Sequence, residues 1–158
     1  MVIEIDDWRF HVFGVTARKY YARELADHCT CAWCRNFYQS VDQKYPGIRP
    51  FLNRFEVQMD APTEMMAFGP TMCANYYAVS GSILKRGEGP IVIDSVSIEP
   101  LEQDECNINI EEEWPVFFLY VGCMSLPWVL EEPMEKADSP AKGKNFVQRL
   151  LQRWITEE

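Results

Sequence analysis

A chain of 158 residues, 47% hydrophobic and 25% charged, has the size and composition of one globular domain spanning residues 1–158. A domain this long buries roughly 70% of the surface its unfolded chain exposes, so it folds without a disulfide framework and is not a disordered segment. The formal net charge is −9, with acids grouped at Glu99, Glu102, Asp104 and Glu105 and at Glu111, Glu112 and Glu113, while the bases are scattered. That pattern argues against nucleic acid and anionic membranes as partners and leaves a basic protein as the candidate partner.

Met1 to Asp7 carries three acids and no basic stretch, and the longest apolar run, Val116 to Val121, has the length of a strand. Neither a secretory signal nor a membrane span is expected, and the expected compartment is the reducing cytoplasm. There the six cysteines serve as thiols or metal ligands before they serve as disulfides.

In chain order, Val2 to Ile5 and Trp8 to Val15 alternate around Asp6-Asp7 and predict an opening β-hairpin. Tyr20 to Phe55 lacks strand alternation. Trp33, Phe37 and Val41 recur at helical spacing, and Tyr45-Pro46-Gly47 ends that helix. A second short helix is expected from about Arg49 to Glu56, burying Phe51, Leu52 and Phe55. Together these form a two-helix insertion over about 24–57. Strands are predicted over Glu64–Phe68, Ala74–Leu84, Ile91–Ile98, Cys106–Ile110 and Val116–Val121, with Leu126–Leu130 as an edge or a loop crossing because of Pro127. A polar connector leads to a C-terminal amphipathic helix over about 143–157, with Phe146, Val147, Leu150, Leu151, Trp154 and Ile155 on its apolar face. The fold class is α+β: an antiparallel sheet or sandwich, a helical insertion after the first hairpin, and a closing helix.

The chemistry concentrates in His28-Cys29-Thr30-Cys31-Ala32-Trp33-Cys34. Cys31 and Cys34 are three apart in the first turn of the expected helix and face one way; Cys29 precedes them in a loop that can bend its sulfur towards the other two. The helix start favours thiolates, which suits metal binding and redox chemistry alike. Three cysteines supply three of the four ligands of a structural zinc site. The fourth has to come from His28, although its neighbour Cys29 competes with it, or from His11, Asp27, Cys73, Cys106 or Cys123. A water in that position would make the site catalytic. Cys31-Ala32-Trp33-Cys34 also has the spacing of a thiol–disulfide motif, but an acidic, polar segment stands where a parallel strand is needed. The plainest alternative is that the cysteines are packing residues.

Cys29-Thr30-Cys31-Ala32-Trp33-Cys34-Arg35-Asn36-Phe37 resembles the C-x-C-x-x-C-R-N-[FY] signature of a group of uncharacterised bacterial proteins. There too the signature follows an N-terminal β-segment and precedes a short helix, a β-rich remainder and a late segment like Leu126–Leu130. The resemblance carries no activity. It implies that Arg35 and Asn36 belong to the motif, Arg35 to offset thiolate charge or pair with an acid such as Asp27, and Asn36 to bond loop backbone, unless both serve as ordinary helix-surface residues.

No catalytic residue is assigned. His11 with Cys29 or Cys34 would need to meet within hydrogen-bond reach. Ser80-Gly81-Ser82 lacks the glycines of a nucleophile elbow, and Gly87-Glu88-Gly89-Pro90 reads as a turn. Trp8, Tyr76, Tyr77, Trp114 and Trp128 are candidates for a ligand platform or for the core. The expectation is therefore a non-enzymatic binding or interaction protein with a cysteine segment that holds zinc. Its rivals are a thiol- or metal-dependent enzyme centred on Cys29, Cys31 and Cys34, and an acidic inhibitor of the toxin-immunity kind.

Overall fold

The computed structural model describes residues 1–140. The helix expected over 143–157 lies outside the described residues. The first hairpin pairs β1 (Val2–Ile5) with β2 (Trp8–Val12), and three helices follow: α1 (Gly14–Ala26), α2 (Ala32–Lys44) and α3 (Ile48–Asn53). The remaining strands are β3 (Glu64–Gly69), β4 (Met72–Lys85), β5 (Ile91–Ile93), β6 (Val96–Glu102) and β7 (Val116–Ser125). They form one antiparallel seven-stranded sheet in the order β1-β2-β4-β7-β6-β5, with β3 also on β4, which bears out the α+β expectation.

The 14-residue β4 is the spine. One edge pairs with β7 over Met72–Ser80; the other pairs first with β3 and then, from Gly81 on, with β2. Gly81 has φ +156°, and a Cβ there would stand 1.9 Å from the His11 carbonyl oxygen, so only glycine lets β2 come this close. In the gap between β3 and β2, side chains replace the ladder. Tyr21 donates its hydroxyl to the Ala78 carbonyl at 2.6 Å, and Thr63 Oγ1 accepts the Ala78 amide at 2.9 Å.

Side chains from the helical segment pack against this sheet. Phe10 stacks on Phe117 with ring centres 5.4 Å apart and meets Phe55 edge-on at 5.1 Å. From α2 come Cys34, Phe37 and Val41, and from α3 come Ile48, Phe51 and Leu52, all buried. Each large apolar side chain removed from water contributes about 1.5–3 kcal/mol, so this layer dominates the stability of the domain.

Several elements differ from the sequence expectation. The helical segment starts at Gly14, where strand character was expected to run to Val15, and it contains three helices instead of two. Ala17 to Ala26 is rich in helix formers but buries only Ala17, Tyr20 and Tyr21, so its periodicity is faint. The expected strand Ile91–Ile98 is a hairpin. Asp94 and Ser95 both take positive φ, 50° and 68°, in the two-residue turn between β5 and β6, and the Asp94 carboxylate accepts the Gly47 amide. Cys106–Ile110 is not a strand: its alternation serves to bury Ile108 from a loop. The segment after Leu126 is a loop crossing.

Candidate metal centre

Helix α2 begins with Cys31 as its capping residue, in extended conformation at φ −63°, ψ 163°. Cys34 is then the third helical residue, on the same side, and Cys29 lies in the irregular stretch before the cap. Three hydrogen bonds hold that stretch, two of them local and one long-range. The Tyr38 hydroxyl donates to the Cys29 carbonyl at 2.8 Å, Arg35 Nε donates to the Thr30 carbonyl at 3.0 Å, and the Ala32 amide donates to Asp138 Oδ1 at 2.9 Å. Asp138 places a negative charge against the free amides of the helix start, where it is favoured.

The result is that Cys29, Cys31 and Cys34 bring their sulfurs within 4.8 Å of one another, close enough to hold a metal ion. Cys34 is buried and the other two are half-buried. Burial pushes the Cys34 thiol up, with the neighbouring thiols adding to the shift. Burial also raises Cys31, opposed by the backbone amide of Cys34, which favours a thiolate. Tyr38 is raised for the same reasons, burial first and Cys34 second. Three thiols crowded in a partly dry pocket resist losing protons into it unless a cation takes their place.

A cleft opens beside the sulfurs, lined by Glu24, His28, Cys29, Cys34, Tyr38 and Met65 among others, with space for about one water or ion. His28 is on its wall. Its Nδ1 meets the Leu25 carbonyl at 2.5 Å and its ring stands edge-on to Tyr38, so neither ring nitrogen joins the sulfur group. The other fourth-ligand candidates are elsewhere. Asp27 caps the end of α1, and His11 packs edge-on against Phe13 on β2. Cys73 is buried on β4, its thiol pushed up to about 12 by burial; Cys106 donates to the Glu102 carbonyl; Cys123 is exposed on β7.

Arg35 and Asn36 have roles beyond the cysteines. Asn36 is fully buried and grips the loop after β7 from both ends of its amide, donating from Nδ2 to the Pro127 carbonyl at 3.0 Å and accepting the Val129 amide at 2.8 Å. Arg35 pairs with Glu132 at 2.6 Å, not with Asp27. With Asp138 on the Ala32 amide and Pro140 on the cleft, residues 126–140 form a strap across the start of α2. Sequence reasoning missed Glu132, Asp138 and Met65. Nothing in their local pattern distinguishes them, because each reaches the site from a distant part of the chain.

The other candidate groups have structural work. Ser80 is buried; Trp8 is buried and donates to the Gly89 carbonyl at 2.8 Å inside the 87–90 turn; Tyr77 is buried and donates to the Met59 carbonyl. Among the described residues, no helix is long and apolar enough to cross a membrane. Compared with protein-family models, with curated proteins and with solved structures, the chain matches none, so its own geometry has to carry the functional reading.

Proposed function

We propose that this chain is a non-enzymatic binding protein in which Cys29, Cys31 and Cys34, as thiolates, hold one thiophilic metal ion as a structural anchor, zinc being the ion that three thiolates first suggest. The observation that carries the reading is the approach of the three sulfurs to within 4.8 Å at the start of α2. Ligand sulfurs about 2.3 Å from a tetrahedral zinc stand about 3.8 Å from one another, so the loop needs to tighten by at most about 1 Å. His28 stands on the cleft wall with Nδ1 facing the Leu25 carbonyl, outside the sulfur group. The ion would fix the start of α2, and with it the strap that Arg35, Asn36 and the Ala32 amide hold. The same division of labour, cysteines for the ion and Arg-Asn for a distant segment, is proposed for proteins that share the C-x-C-x-x-C-R-N-[FY] signature.

A thiol–disulfide enzyme is the weaker reading. Such an enzyme needs an accessible thiol of lowered pKa, whereas burial raises both Cys31 and Cys34. As partner, the net charge of −9 supports a basic protein, including a toxin neutralised by binding. Elemental analysis of protein purified without chelator tests the anchor: one equivalent of zinc or another soft metal per chain is expected, and a metal-free, fully folded protein would contradict it.

A further inference from the structure

We propose that Met65 is the fourth sulfur of this site and that the resulting donor set favours a soft monovalent ion, copper(I), over zinc. The inference rests on the metal-anchor reading above and concerns which ion is held and by what.

Met65 lies on β3, 31 residues after Cys34, and is 5% exposed. Its Sδ stands 3.9 Å from Cys34 Sγ. Adjacent sulfurs in a tetrahedron around an ion at about 2.3 Å are about 3.8 Å apart, so Met65 already stands at vertex distance from Cys34. Met65, Cys29 and Cys34 also line the same cleft, which has space for about one ion. The two other donors on that wall compare poorly. Neither nitrogen of His28 comes within the sulfur group. Glu24 offers a hard oxygen, mismatched to soft thiolate neighbours.

A thioether is a neutral, polarisable donor, and a thiolate–thioether set suits copper(I). Loading forms three metal–thiolate bonds and one metal–thioether bond. Three S–H protons pass to solvent, and no electron moves, because the ion enters as copper(I). The strand pairing of Met65 with Asn75 would thereby tie the ion to β4, joining the cysteine loop to the spine of the sheet.

The test uses the full chain with its seven methionines replaced by selenomethionine, loaded anaerobically with one equivalent of copper(I). X-ray absorption at the copper and selenium edges is expected to show a copper–selenium path and a shell without imidazole. Met65→Leu, a swap of similar volume, is expected to fold, to lose that path, and to weaken copper(I) binding at least about tenfold in competition with a chromophoric chelator. Zinc affinity in the same variant is expected to change by less than about twofold. Copper bound without a selenium path, an imidazole contribution that His28→Ala removes, or unchanged copper(I) affinity in Met65→Leu would each overturn the proposal while leaving the metal anchor intact. Binding of neither zinc nor copper at one equivalent would remove the anchor and this inference together.

Discussion

Between β2, β7 and the turn after α3, the buried rings of Phe10, Phe55 and Phe117 pack on one another. At the start of α2, some of the same helix is held by other means: three thiols, a few hydrogen bonds to backbone, and a strap that arrives from more than 90 residues away. The first region is stable by burial and needs nothing from outside the chain. The second gathers polar groups into a half-buried pocket, which costs free energy unless something neutralises them. Under the metal-anchor proposal, the ion would take over, at one end of α2, the part that the apolar side chains of Phe37 and Val41 play further along the helix.

The comparison can be broken at either region. Phe117→Ala should have the largest effect, about 3–5 kcal/mol, and should lower the denaturation midpoint equally with and without chelator. Cys34→Ser should remove metal binding and cost about 3 kcal/mol more in protein saturated with metal than in protein stripped with chelator, where only the packing cost of the buried hydroxyl remains. An equal loss in the stripped proteins would mean that Cys34 acts only by packing.

Alkaline titration probes the apolar side. Burial pushes Tyr20 up to about 12 and also raises Tyr21 and Tyr77 well above the usual tyrosine value. Because these folded values exceed the unfolded value, the stabilisation is complete below about pH 10 and is lost as pH rises through about 12. Tyrosinate absorbance should therefore rise in two steps, the second coincident with unfolding. A single transition near pH 10 with the fold intact would contradict the burial of these rings.

Asn36→Ala should cost about 1–3 kcal/mol, because it leaves the Pro127 carbonyl and the Val129 amide without their partner. Its mark should be increased hydrogen exchange in 126–132. Smallest of all, Glu132→Gln breaks an exposed ion pair and should change stability by less than about 1 kcal/mol. A large loss there would show the strap to be held by charge instead of by Asn36.

How much of this was legible in the sequence follows the same division. Helix α2 was readable because its apolar residues recur at helical spacing, and β7 because its apolar run is continuous and strand-sized. The cysteines were readable as a group because they fall within six residues of one another. Helix α1 was obscured by its thin apolar face, and the β5–β6 turn by a pair, Asp94-Ser95, that lacks the usual glycine. The partners of the cysteine loop were beyond reach. Asp138 meets Ala32 across 106 residues and Asn36 meets Val129 across 93, and neither contact leaves a local pattern. Arg35 and Asn36 were singled out by resemblance to a motif; Asn36 works on the strap alone, while Arg35 holds both the strap, through Glu132, and the cysteine loop, through the Thr30 carbonyl.

Hydrogen exchange with and without a metal chelator tests the central claim most directly. Chelation is expected to raise exchange at the start of α2, around residues 30–35, and along the strap, around 127–138, while leaving β4 and β7 protected. Unchanged protection at the cysteine end, or a uniform loss across the whole sheet, would contradict a metal ion that anchors this end of the molecule locally.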